Sequence, residues 1–289
     1  MLHTPATAVD ILFAGLIDYA GLFPPANLDM RPAVQNYLRY REGRHEHMLG
    51  RFIVDLSRVD ELRATAGDDL ADLRVSVLAP PNPDLSQLSS LLAAGLSIEA
   101  IEFKYASPAD VKSLIESVPR GVEAYFEVPV TWTDSSLLSA ISDAGARVKL
   151  RMGGVVAETF PSSKATAVML AELVARHISF KATGGLHHPI RSRHHFTYEL
   201  NSPVGMMHGF LNFAFAAVLL HHGGAGGEAL HILEEEDRHA WRVAPDAISC
   251  RAFLWNRDQL ADTRKNFWHR FGSCSFEEPI RDLEALGWL

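Results

Sequence analysis

The chain has 289 residues, 47% of them hydrophobic and 21% charged, with a formal net charge of -8. Such a length buries a substantial core, and α/β barrels of about 250 residues are routinely one domain. The acidic balance offers no basic surface for nucleic acid or anionic lipid, and two cysteines, Cys250 and Cys274, rule out a disulfide framework or a clustered thiolate metal site.

Taken in chain order, short apolar or β-branched runs alternate with amphipathic helical stretches, the pattern of parallel strands joined by crossover helices. The predicted strands are Gly15–Tyr19, Arg51–Leu56, Arg74–Leu78, Ile98–Lys104, Glu123–Val128, Arg147–Arg151, Ile178–Thr183 and Arg270–Ser273. Between them, Ser107-Pro-Ala-Asp110 opens a helix over Val111–Val118, and Thr133-Asp-Ser-Ser136 opens one over Leu137–Ala144 that stops at Gly145. Eight strand–helix units predict a TIM (β/α)8 barrel over residues 1–289 as a single domain.

The spacing is regular until the seventh strand. The segment 186–268 that follows contains the apolar run Pro203–Leu220, the glycine-rich Gly223-Gly-Ala-Gly-Gly227 and the acidic Glu234-Glu-Glu-Asp237. It is predicted as a helical insertion between strands seven and eight that forms a lid, because strand seven ends at the face where barrel active sites lie. Met207-His208-Gly209 and Asn212 interrupt the apolar run, and charged anchors are missing, so it is read as a buried helix or a contact between subunits of a homo-oligomer, with no membrane span. The scarcity of thiols and the absence of a basic segment followed by an apolar core near the N-terminus lead to the expectation of a cytoplasmic protein.

Inward positions of a parallel barrel are normally branched apolar side chains, so charged strand residues need a reason. Asp18 ends strand one, Glu102 and Lys104 share a face of strand four, and Glu127 ends strand five. Lys149 and Arg151 share a face of strand six, and Lys181 and Thr183 share one on strand seven. An ammonium taken out of water loses its proton or acquires a partner. A neutral lysine attacks carbonyls to form a Schiff base, and a neighbouring cation favours the neutral form. The pattern predicts an acid–base cluster in one cavity.

Glycines follow the late strands: Gly153-Gly154 after strand six, Gly184-Gly185 after strand seven, and Gly272 within Phe271-Gly-Ser-Cys-Ser275 at strand eight. Glycine lets backbone N–H groups approach an anion closely, so these loops, with the Ser273 and Ser275 hydroxyls, are candidates for holding the anionic end of a substrate.

At these residues the chain resembles the deoxyribose-phosphate aldolases and their class I aldolase relatives. Leu16-Ile-Asp-Tyr19 is similar to that family's strand-one aspartate motif, and Glu123-Ala-Tyr-Phe-Glu127, through Asp134 and Ala144-Gly-Ala146 to Val148-Lys149, follows its path from the strand-five residue to the Schiff-base lysine. Phe180-Lys-Ala-Thr-Gly-Gly185 resembles its second-lysine strand, and Arg270-Phe-Gly-Ser-Cys-Ser275 with Leu283-Glu-Ala-Leu-Gly287 its phosphate-binding terminus. The resemblance implies a Schiff base at Lys149, a Lys181 that lowers the pKa of Lys149, and proton handling by Asp18 and an acid on strand four, for which Glu102 is the nearest match. The chain departs from the family at Leu150-Arg151-Met152, at Lys104 and in its long insert.

Nine of the 14 histidines lie between His187 and His239. His187, His188, His194 or His208 with Asp18 or Glu127 would make a metal-dependent hydrolase or lyase, yet no His-Glu-x-x-His spacing is present. A non-catalytic small-molecule-binding barrel is a third reading. The reading carried forward is a class I aldolase-like lyase that uses neither metal nor cofactor and acts on a small anionic carbonyl substrate. Lys149, Lys181, Asp18, Glu102 and Glu127 do the chemistry. Lys104, Arg151, Thr183, the glycine loops, His187, His188, Ser273 and Ser275 bind the substrate.

Overall fold

A computed structural model describes residues 6–104, 106–131 and 135–289. Thr133 and Asp134, expected to open a helix and to extend the family resemblance, lie outside them. The first seven strands are β1 (Ile17–Tyr19), β2 (Leu49–Asp55), β3 (Arg74–Ala79), β4 (Ser97–Phe103), β5 (Glu123–Pro129), β6 (Arg147–Arg151) and β7 (Phe180–Thr183). Five short strands follow in the insertion, β8 (Ser192–His195), β9 (Val204–Met207), β10 (Trp241–Val243), β11 (Ala247–Cys250) and β12 (Phe253–Asn256), and the chain returns in β13 (Trp268–Ser273). The eight strands β1 to β7 and β13 close into a barrel in the order β1-β13-β7-β6-β5-β4-β3-β2, every pair parallel. The predicted barrel is the observed one, and each predicted barrel strand overlaps its counterpart.

The insertion differs in part from the helical lid expected over 186–268. It holds three α-helices, Phe210–His221, Gly226–Leu233 and Arg257–Asn266, together with an antiparallel β8–β9 hairpin and the antiparallel sheet β10-β11-β12. The helix Phe210–His221 serves as barrel wall. It is buried along its length because its aromatic rings pack on the outward side chains of β7 and β13. Phe213 meets Phe180 edge-on at 5.8 Å, and Phe210 stacks on Phe271 at 5.0 Å. A helix apolar all round must be covered all round, which explains the run read as a buried helix or subunit contact. Its buried Asn212 is satisfied inside the chain: Nδ2 donates to the carbonyls of Ile232 at 2.8 Å and Glu235 at 2.7 Å, and Oδ1 accepts from the Arg191 N–H at 2.8 Å. The β8–β9 hairpin reaches the barrel mouth, where Phe196 stacks on Phe160 at 5.0 Å. Among the described residues no helix is long and apolar enough to cross a membrane.

Strand alternation sends Phe180 and Ala182 outward and Lys181 inward, so the hydrophobic core lies between barrel and helices while the lumen is polar. At its lower level Arg51, 3% exposed, pairs with Glu99 at 2.9 Å and Glu123 at 2.7 Å. The Tyr125 hydroxyl donates to Glu123 at 3.0 Å and lies 3.0 Å from Nδ1 of His269.

Burial, reinforced by Arg147, pushes His269 down from 6.5 to about 4, and burial beside His188 pushes His194 down to about 4. Between those values the unfolded chain binds protons that the native fold does not, so native stability rises with pH. We expect the melting temperature to fall as pH drops from about 6.5 towards 4. In scanning calorimetry across this window, His194→Asn and His269→Asn should each flatten the slope.

Candidate active site

The strand registers bring the predicted catalytic residues to one level of the lumen. Glu127 of β5 pairs in register with Lys149 of β6, and Lys149 with Lys181 of β7. Opposite charges then alternate in an unbroken line. Asp18 Oδ2 meets Lys181 Nζ at 2.5 Å, and Lys181 meets Glu102 Oε1 at 2.7 Å. Glu102 Oε2 lies 2.7 Å from Lys149 Nζ, Lys149 lies 3.1 Å from Glu127 Oε2, and Glu127 Oε1 accepts from Arg151 Nε at 2.7 Å. Three carboxylates balance three cations. This is how the barrel interior tolerates them, because a buried charge needs a partner of opposite sign.

The local sequence supports this line at its ends. Asp18 Oδ1 accepts the backbone N–H of Arg51 at 2.7 Å, an approach that requires Gly50, where a Cβ would overlap the carboxylate. The Ser76 hydroxyl donates to Glu102 Oε1 at 2.6 Å. Lys181 is fully buried, with its ammonium 5.7 Å from the Tyr125 ring centroid. Lys149 differs from Lys181 in that it lines the cavity at the barrel mouth.

The electrostatics correct one expectation, that Lys181 lowers the pKa of Lys149. Glu102 lies between the two lysines and pairs with both, so Lys149 faces carboxylates where the resemblance implies a cation beside it. Burial opposes the charge of Lys149, but Glu102 and Glu127 outweigh burial and raise its pKa above the ordinary lysine value. Glu102 is buried too, and the two ammonium groups still hold it well below the usual carboxylate range. Glu127 is likewise lowered, against burial, by Lys149 and Arg151. The resting site therefore holds an ammonium at Lys149.

The cavity measures about 440 Å³. Of the residues expected to bind substrate, Lys104, Arg151, Thr183, Gly153, Gly154, Gly184, Gly185, His187 and Gly272 line it. Gly184 is in the left-handed region, and a Cβ there would sit 2.6 Å from the Gly153 carbonyl oxygen, so the two glycine loops touch in a way no larger residue permits. His188, Ser273 and Ser275 are not on the wall. His188 Nδ1 pairs with Asp282 at 2.6 Å. Ser273 Oγ lies 3.4 Å from His187 Nδ1 and accepts the Ser275 N–H at 3.3 Å, and the Ser275 hydroxyl accepts the Glu278 N–H at 3.1 Å at the start of the last helix. Sequence reading did not mark Cys274, Phe23 or Ile53, which also line the cavity, nor Ser76 and Arg51 beneath it. Alternation along β2 and β3 carries the signal for the last two. Nothing in the chain marks Cys274, because it follows the end of a strand.

Burial would lower His187, but Cys274 and Glu278, the latter 3.3 Å away, raise it to about 10, so it is an imidazolium at pH 7. Among the described wall residues, the charged side chains are therefore the cations Lys104, Lys149, Arg151 and His187. The predicted metal set does not assemble at the mouth. His208 Nε2 bonds the Pro161 carbonyl at 2.7 Å, and His188 and His194 stack on each other at 3.3 Å, apart from Asp18 and Glu127.

Removing the shared carboxylate tests this account. Glu102→Gln leaves two buried ammonium groups with one partner each, and breaking a buried pair costs about 3–5 kcal/mol. Urea denaturation should show a loss of that order.

No known protein family and no curated protein matches the chain. It is similar over part of its length to solved structures that include FabK from Thermotoga maritima and a mutant of it. Identities are 18% and 17%, and each match covers 64% of this chain at a TM-score of 0.37. The matched part spans 56% and 60% of those chains, less than two thirds of either, and bears on neither the site nor its chemistry.

Proposed function

We propose that this barrel is a class I aldolase-like lyase that makes or breaks a carbon–carbon bond next to a carbonyl, through an iminium at Lys149. The observation that carries the reading is the placement of Lys149. It is a buried amine on the cavity wall, held between Glu102 and Glu127. Lys181, sealed behind it against Asp18 and Glu102, keeps Glu102 anionic. The family resemblance of the strand motifs supports the same assignment.

The chemistry follows from charge conservation. The amine of Lys149 must lose a proton before it attacks. Glu127 is the better acceptor, since Glu102 is already bound by Lys181 and Ser76. The nitrogen adds to the carbonyl carbon, one of its two remaining protons passes to the carbonyl oxygen to give the carbinolamine, and Glu127 returns its proton as that hydroxyl leaves as water. One ammonium and one carbonyl thus become one iminium and one water, and the cation stays where the ammonium was. The carboxylates that stabilised the ammonium stabilise the iminium, the sense in which such a site is preorganised. The iminium then withdraws the electrons released when the adjacent carbon–carbon bond breaks.

The wall selects the substrate class. Four cations, with no carboxylate among the described wall residues, favour a small carbonyl compound bearing a carboxylate or phosphate. Arg151, with a side chain 44% exposed and its Nε bonded to Glu127, is the strongest candidate to receive that group.

Borohydride reduction with a panel of carboxylated and phosphorylated aldehydes and ketones should add a covalent mass at Lys149, located by peptide mass spectrometry. Lys149→Met should give no adduct, and Glu127→Gln should slow adduct formation by about 10²-fold or more. Absence of any adduct across the panel, or its appearance at another lysine, rejects the reading.

A further inference from the structure

Away from the barrel mouth, two adjacent histidines and an aspartate converge on one point. We propose that His221, His222 and Asp262 form a divalent-cation site, suited to zinc, that clasps the insertion's buried helix to the helix leading into the last barrel strand. His221 is the last residue of the helix Phe210–His221, His222 caps that helix, and Asp262 lies in the helix Arg257–Asn266.

The spacing fits a metal shell. His221 Nε2 lies 2.9 Å from Asp262 Oδ2, and His222 Nε2 lies 3.8 Å from the same oxygen. The three donor atoms all fall within 4.8 Å of one another. Ligands bound tetrahedrally to zinc at about 2.0–2.1 Å stand about 3.3 Å apart. The two histidine–aspartate separations bracket that value, and rotation of the partly exposed imidazoles closes the remaining histidine–histidine pair. Two imidazoles and a carboxylate are donors that zinc accepts.

Surrounding groups aim the donors. Asn266 Nδ2 donates to Asp262 Oδ1 at 2.6 Å, which leaves Oδ2 for the histidines. His221 lies flat on Phe267, with the rings 5.0 Å apart and 6° from parallel. His222 Nε2 donates to the Gln259 carbonyl oxygen at 3.1 Å and lies 3.2 Å from Thr263 Oγ, so binding of the ion exchanges this N–H contact for the metal bond. The C-terminal end of a helix attracts a cation, and side-chain exposures of 22%, 25% and 45% let an ion and a water ligand reach the point. Clasping these helices would hold Phe267 and Trp268, where the chain re-enters the barrel.

The test uses tag-free protein stripped with chelator and titrated with Zn²⁺ by calorimetry at pH 7.5. One equivalent should bind at micromolar affinity or tighter and raise the melting temperature, and Co²⁺ should give the visible bands of a tetrahedral nitrogen–oxygen site. Asp262→Asn and His222→Gln, both at partly exposed positions, should each weaken binding at least tenfold and abolish the thermal shift, whereas His194→Gln should not. Several weak equivalents, no binding by the wild type, or unchanged binding in both variants would each overturn the proposal. The cobalt spectrum of the wild type decides the question even if a variant fails to fold.

Discussion

Glu102 sits where two lysines from neighbouring strands would otherwise face each other in a closed barrel, and this one carboxylate makes the interior possible. Without it, Lys149 and Lys181 would be like charges in register on adjacent strands, deep in a medium that screens poorly. With it, the charges alternate from Asp18 to Arg151 and the line is neutral. The outward faces of the same strands are then free to be apolar, and the helices, including the insertion's buried one, pack on them.

The alternating line also shapes the reading of the chemistry. A lysine flanked by another cation would rest neutral, but one flanked by two carboxylates rests charged and must release its proton to react. In the proposed reaction, nucleophilicity would be a property of the occupied site, where an incoming anionic substrate, Arg151 and Glu127 would redistribute the charge. The same carboxylates that delay the amine are complementary to the iminium that would replace it in this reaction, so the resting charge pattern would match that intermediate.

Much of the barrel was legible because it rests on short-range rules. Alternation within β6 and β7 told which side Lys149 and Lys181 face, and turn and cap residues bounded the helices. The insertion was harder. The apolar run to Leu220 announced burial but not what would bury it, and the covering surface turned out to be Phe180, Trp268 and Phe271 on strands far apart in the chain. Ser275 was misplaced for a related reason, since its hydroxyl is used within the chain to start the last helix. The histidines give the same lesson: clustered in sequence between His187 and His239, they scatter in space, and only His221 and His222 meet a carboxylate in a metal-like group among the described residues.

The sequence by itself determined the succession of eight strands, the inward charges on strands one and four to seven and the glycines that let the mouth loops approach, because these follow from periodicity and from the conformations that single residues allow. Tertiary structure alone decided which charge touches which. Strand register across the closed barrel placed Glu102 between the lysines and left Lys149, not Lys181, on the cavity wall. Pairing of that kind depends on distances between segments that no local pattern encodes, and those distances separate a structural ammonium from a candidate nucleophile.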